Sequence, residues 1–399
     1  MKKTNIDFLI VTPSYNSEKY IRTIIETVKN QYYKNYIHVI IDNFSDDKTA
    51  EIIKELQYDN IIFEQIKSTQ IEAINYAYNK YYNDNMIFTW LNVDDYYNSN
   101  NIFFNIKNIL DNKENSLVYG NGYYYDIVVQ NKRKALINKN LENNAYTELA
   151  RGVGILQPSV FIKTKKINNI IPEKYPKCFD YHLWIIFAKT DIQFIHTELD
   201  ISTAILDGNN ISTKQRDIQL QESCECLFEE YGFVYIGWLE KLARCDGILN
   251  KGIIKDNDLE NELCKLYEKY SNPIAEFEYW KKINDGEIIE RNQNFVENIL
   301  FKYNNMIHLY WKNCLKLREY TKDFNYESNY ILSDNIYKKN NEEIPNEKTD
   351  DKLITFIIAL KGRSKRCIIS LNSIINENPI KYFDFIIIED KSNDMVELG

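Results

Sequence analysis

From residue 6 the chain alternates short unbroken apolar runs with longer stretches in which apolar residues recur every three or four positions. "IDFLIVT" (6–12) predicts a buried strand, and "SEKYIRTIIETVKNQ" (17–31) sets Ile21, Ile24, Ile25 and Val28 on one helical face. The alternation continues through a strand at "IHVIID" (37–42) and a helix at "DDKTAEIIKEL" (46–56), capped by Ser45 or Asp46. A strand at "NIIFEQ" (60–65), a helical stripe of Ile71, Ile74, Tyr78 and Tyr81, and a fourth strand at "MIFTWLN" (86–92) complete the series. Repeated βα units predict an α/β fold with a mainly parallel central sheet and helices on both faces.

In such sheets ligands bind beyond the carboxyl ends of the strands. That rule gathers "TPSYN" (12–16), "DNFSDD" (42–47) and "NVDD" (92–95) at one edge and predicts a nucleotide cleft there. Neither GxGxxG nor GxxxxGK[ST] follows the first strand, and the chain holds only 12 glycines, so dinucleotide and P-loop readings lose their main support. Nucleotidyl transfer to a sugar phosphate is disfavoured too, because "TPSYNSEKY" lacks a glycine-rich basic loop. Asp94 and Asp95 repel one another. Such a pair suits a hard divalent cation that bridges a diphosphate, or a turn or helix cap.

Net charge of −9 disfavours a general nucleic-acid binder, since phosphate neutralisation needs surplus Lys and Arg. The basic runs "NKRK" (131–134) and "KTKK" (163–166) read as solvated loops, with contact to anionic lipid headgroups as the alternative. No apolar run approaches the ~20 residues of a spanning helix, and the N-terminus lacks a signal-peptide core, so a cytoplasmic chain is expected, with association at the cytoplasmic face of the inner membrane left open. Seven cysteines without CxxC spacing fit reduced thiols.

The stretch "VTPSYNSEKYIRTIIETVKNQYYKNYIHVIIDNFSDDKT" resembles the nucleotide-binding half of family 2 glycosyltransferases. "STQIEAINYAYNKYYNDNMIFTWLNVDDYY" is similar to their helix leading into a DxD-type acidic motif. The likeness continues through "SLVYGNGYYYD" (116–126), "GILQPSVFIK" (154–163) and "FDYHLWIIFAK" (179–189), covering roughly residues 4–213. It implies a GT-A fold and inverting transfer of a sugar from a UDP-sugar to a saccharide or lipid-linked saccharide, in capsule, lipooligosaccharide or other bacterial surface-glycan synthesis.

Residue by residue, the resemblance places Thr12, Pro13 and Tyr15 beside the uridine, with Asp42 and Asn43 at its acidic pair. Asn43 stands where Asp is usual, and an amide can still pair with the uracil edge. Asp94 matches a ribose or metal-water contact and Asp95 the direct ligand of Mn2+ or Mg2+; Asn92 replaces the acid that often opens the motif. Gln157, Pro158 and Ser159 match the loop facing donor sugar and acceptor, and Asp180 the catalytic base. His182 would point away from Asp180 on a helix. Asp207 falls near the position of a diphosphate-contacting His, in a loose alignment.

The expected organisation is a transferase domain over 1–215, a mostly α-helical region over 216–337, a charged linker over 338–352, and a partial second GT-A-like unit over 353–399. Leu259, Leu263, Leu266 and Tyr270 carry the helical spacing, as do Val296, Ile299, Tyr303, Met306, Tyr310 and Cys314. "LITFIIALKGRSKRCIISLNSIINENPIKYFDFIIIEDKSND" (353–394) repeats the opening βαβ pattern, which points to a longer multi-domain enzyme or a degenerate second copy. A module that binds nucleotide or glycan without catalysis is the competing class, favoured by Asn43 and Asn92 and opposed by Asp95 and Asp180.

Overall fold

A computed structural model describes residues 6–56, 58–208, 210 and 214–251, a few positions between 265 and 279, and strands 354–360 and 383–389. The stripe at 296–314 and the linker at 338–352 lie outside the described residues, as do Leu259 and Leu263. The chain divides into two units, Met1–Lys255 and Asp256–Gly399.

In the first unit β1 (Phe8–Ser14), α1 (Ile21–Lys29), β2 (Tyr36–Asp42), α2 (Thr49–Glu55), β3 (Ile61–Gln65), α3 (Gln70–Tyr81) and β4 (Ile87–Trp90) follow in the expected order. Then come β5 (Asp95–Tyr97), α4 (Ile102–Leu110), β6 (Ser116–Asp126), β7 (Asn131–Lys134) and α5 (Leu141–Arg151). A 3-10 turn (Gln157–Ser159), β8 (Val160–Lys163), α6 (Phe179–Ala188), β9 (Gln193–Leu206), α7 (Arg216–Tyr231) and α8 (Ile236–Lys251) complete it. The sheet runs β3-β2-β1-β4-β8-β6-β9-β5, with β7 on the side of β6.

The first four strands are all parallel. Every residue of β1 is buried, as expected of a strand covered on both faces. From β8 onward pairing is mixed, because β8 meets β4 and β6 antiparallel while β6 and β9 run parallel. This is the α/β, GT-A-type arrangement expected, with the acidic motif in the turn between β4 and β5.

Local chemistry sets the ends of the elements. Thr69 and Glu72 form a reciprocal capping box that starts α3. The second helix begins at Thr49 rather than at 46 because Ser45 is drawn to Asp42, and Asp47 instead accepts from the Thr49 amide at 3.0 Å. Beneath the parallel half, Phe8 stacks on Phe103 at 5.0 Å. On the other side Trp90 of β4 stacks on Trp184 of α6 at 5.8 Å and lies 6.1 Å from Phe179, which ties α6 to the strand that ends in the acidic motif.

Helix α7 is held to the first unit by Tyr146 Oη donating to the Glu230 carbonyl and Tyr231 Oη to the Tyr146 carbonyl. No helix among the described residues is long and apolar enough to cross a membrane. In the second unit, β10 (Ile354–Leu360) and β11 (Phe383–Glu389) pair in parallel, as β1 and β2 do.

Candidate active site

At the carboxyl end of the parallel half, β1 and β2 leave the sheet together, with Ser14 opposite Asp42 and the Asn43 amide donating to the Ser14 carbonyl at 2.8 Å. The buried Asp42 carboxylate accepts from the Ser45 amide at 2.9 Å, the Ser45 hydroxyl and Gln65 Nε2 at 3.0 Å. Asn43 Oδ1 accepts from the Ser68 amide. Tyr15 and Phe44 stand 55% and 54% exposed beyond these strands, and Phe44 and Asn16 hold positive φ in the turns that carry them. Pro13 is buried in β1. Thr12 turns its hydroxyl inward, 2.9 Å from His38 Nε2, and burial holds the imidazole down at about 3, so this pair is neutral interior structure.

The acidic motif is organised by Asn92. Its Oδ1 accepts from Gln70 Nε2 at 2.8 Å, and its Nδ2 donates to Asp95 Oδ2 at 3.2 Å and to Gln157 Oε1 at 3.1 Å. A carboxylate at position 92 could make neither donation, so the amide fits this turn where a third acid would add repulsion. Gln157 in turn donates to the Trp90 carbonyl at 2.9 Å. Of the 157–159 turn, Gln157 is the side chain that reaches the acidic motif. Pro158 and Ser159 are buried, and the Ser159 hydroxyl lies 2.6 Å from that of Ser202. Gly122 permits this packing, since a Cβ there would meet Leu156 at 2.4 Å and the Ser202 carbonyl at 2.6 Å.

Asp94 and Asp95 are poorly compensated. Burial and the neighbouring Asp94 push the Asp95 carboxyl well above the usual carboxylate range. Burial, with Asp207 nearby, raises that of Asp94, whose Oδ2 accepts from Asn210 Nδ2 at 2.7 Å. Asp207 itself accepts from Tyr20 Oη at 2.9 Å. Among the described residues no Lys, Arg or His forms an ion pair with Asp94 or Asp95, and no cluster of three or more His, Cys, Asp or Glu side chains is positioned to hold a metal ion. The donors present are hard carboxylate oxygens, which suit a divalent cation that completes its shell with water and phosphate.

Strand register extends the site. Asp95 pairs with Ala204, Ala204 with Tyr124, and Tyr124 with Arg133, so these four lie in one row and share a face. The half-buried Tyr124 phenol is pushed up by burial and by the charges of Asp180 and Asp95, against the opposing pull of Arg133 and Arg216. Asp180, in the first turn of α6, therefore lies within electrostatic reach of the same phenol as Asp95. Its half-buried carboxyl is raised by burial, partly offset by backbone amides including that of Tyr181 at 2.8 Å. His182 is buried away from this cleft, 3.5 Å from Glu230.

Sequence reading did not single out Tyr124, Arg133, Gln70, Asn210 or Arg216. The triple tyrosine at 123–125 marks a β strand, but only the register tells which ring shares the face of Asp95. "NKRK" forms the exposed edge strand β7 rather than a loop.

The family model for glycosyl transferase family 2 matches residues 9–171. The chain is 28% identical over 258 residues to an uncharacterized glycosyltransferase of Rickettsia typhi, covering 61% of this chain and 74% of that one. It is 27% identical over 214 residues to the UDP-Glc:alpha-D-GlcNAc-diphosphoundecaprenol beta-1,3-glucosyltransferase of Escherichia coli, covering 52% and 79%. Among solved structures it is similar to S. aureus TarS 1–349 in complex with UDP-GlcNAc, at 13% identity, 78% and 92% coverage and a TM-score of 0.46. The likeness to glycosyl transferase family 2 is thus carried by residues 9–171, the segment that holds β1 to β8 and the acidic motif.

Proposed function

We propose that the chain transfers a sugar from a UDP-sugar to a hydroxyl of a growing glycan, with inversion and with Asp180 as base. One observation carries this reading: the buried, undercompensated Asp95 carboxylate after β4, with half-buried Asp94 beside it, lies within electrostatic reach of the same phenol, Tyr124, as the raised Asp180 carboxylate at the start of α6. The E. coli relative, named for a UDP-sugar donor and a lipid-linked acceptor, supports the substrate class.

In this mechanism the acceptor hydroxyl attacks the anomeric carbon from the face opposite the diphosphate. Its proton passes to Asp180 as the new C–O bond forms, and the bond to UDP breaks with its electron pair leaving on the diphosphate. Burial makes Asp180 a stronger base than an exposed aspartate. Asp95 would hold a divalent cation, with Asp94 contacting it through water or reaching the ribose; bound there, the ion would neutralise charge on the diphosphate. In this reading Tyr15 and Asn43 would meet the uracil, and Gln157, which accepts from Asn92 Nδ2, would face the donor sugar. Tyr124, its proton retained, would offer a donor within electrostatic reach of Asp95 and Asp180.

The test is UDP release from a panel of UDP-sugars in the presence of saccharide and lipid-linked acceptors. Release that requires both acceptor and Asp180 supports transfer. Pyrophosphate formed from a nucleoside triphosphate would replace it with nucleotidyl transfer.

A further inference from the structure

The β6–β7 hairpin joins an exposed apolar tip to the basic run at 131–134. At its tip Val128 is 73% exposed and Val129 67%, fixed outward by a turn in which Asp126 Oδ1 accepts from both their amides, at 2.9 and 3.2 Å. Behind the tip Lys132, Arg133 and Lys134 form the fully exposed strand β7. Between positions 126 and 136 three bases stand against one acid, in a chain of net charge −9. Exposed aliphatic groups followed by bases is the order a bilayer surface reads, apolar tip to acyl boundary and cations to headgroups.

We infer that this hairpin docks the protein on an anionic lipid bilayer. Charge complementarity selects the occupant, because a negatively charged protein approaching an anionic surface must present its local basic patch first. The paired apolar tip favours lipid over a soluble polyanion, which has no use for two solvent-facing valines. Lys132 sits with its Nζ 4.6 Å from the Tyr123 ring centre, and Lys134 lies 3.8 Å from Asp200, so both cations are braced on the strand and directed beside it. The tip lies no more than about 14 Å from Tyr124, the reach of four residues of chain. Bilayer contact therefore lies next to the row that ends in Asp95, where an acceptor carried in the membrane would arrive.

Membrane docking goes beyond the transfer reading, since binding to vesicles is measured without donor or acceptor. The full chain is sedimented with vesicles of phosphatidylcholine alone and of phosphatidylcholine with about 30% phosphatidylglycerol, at about 50 and about 500 mM NaCl. Binding is expected to the anionic vesicles at low salt only. Val128→Asp/Val129→Asp should abolish it, and Lys132→Gln/Lys134→Gln should weaken it roughly 25-fold, at about fivefold per basic residue near an anionic surface. An unchanged melting curve certifies that each variant is folded. No sedimentation of the wild-type chain with anionic vesicles overturns the inference, as does equal binding by both folded variants. Equal retention on heparin before and after the valine substitutions, with no vesicle binding, would give the patch to a soluble polyanion instead.

Discussion

Two strand ends of one sheet treat their aspartates in opposite ways. At the end of β2, Asp42 is completed by the protein, with two hydrogen bonds from Ser45 and one from Gln65. At the turn after β4, Asp94 and Asp95 receive one side-chain amide each, from Asn210 and Asn92, and burial raises both, with Asp207 adding to the rise of Asp94 and Asp94 to that of Asp95. The first is a finished piece of scaffold that fixes the loop at the carboxyl end of β2. The second is electrostatically unfinished, and a bound cation and diphosphate would complete it.

The largest effect should come from Asp180→Asn, which keeps shape and removes the proton acceptor. Transfer should fall about 10²- to 10⁴-fold, while UDP-induced stabilisation stays as in the wild type; loss of both together would make Asp180 a binding residue. Next, Asp42→Ala should destabilise the protein, since donors on Ser45 and Gln65 lose a charged acceptor worth about 1.5–3 kcal/mol. A melting temperature unchanged by that substitution would dissolve the contrast between the two strand ends.

Asp95→Asn should move stability the other way. The folded state raises this carboxyl above its unfolded value near 3.9, so it binds the proton more tightly than the unfolded chain does. Wild-type stability attributable to Asp95 is thus present at low pH and lost as pH rises through the raised value. In EDTA at pH 7 the amide variant should melt above the wild type, by about 2–4 °C for each ~1 kcal/mol relieved, and the gain should vanish as the pH approaches about 4. Melts from acid to neutral pH with a falling or flat difference would contradict the sign. The smallest effect is expected of Tyr124→Phe, a two- to tenfold loss in kcat/KM on removing one neutral donor worth about 0.5–1.5 kcal/mol; a wild-type value would take Tyr124 out of the site.

The parallel half was legible because its signals are local. Continuous apolar runs such as "IDFLIVT" and the stripe Ile21, Ile24, Ile25 and Val28 fix element type within a dozen residues, and all four stripe residues are buried. Asp94 and Asp95 were visible as an unusual pair at a strand end. The mixed half hides its logic in register. Tyr124 and Tyr123 are indistinguishable by type, and only pairing across β9 to β5 assigns one to the face of Asp95 and the other to the face of Tyr96. Thr12 shows the same limit from the other side, since its inward hydroxyl depends on His38, two residues along β2 from its register partner Ile40, reaching it diagonally.

Whether Asp94 and Asp95 form a site completed by metal and nucleotide is tested most directly by thermal stability. The wild type and Asp95→Asn are melted with UDP and Mn2+, with UDP and EDTA, and with each alone. At ~100 times the dissociation constant the bound state gains about 2.7 kcal/mol, so the wild type should melt several degrees higher with UDP and Mn2+ together, and Asp95→Asn should lose most of that shift. Equal stabilisation by UDP with EDTA present, undiminished in Asp95→Asn, would contradict it.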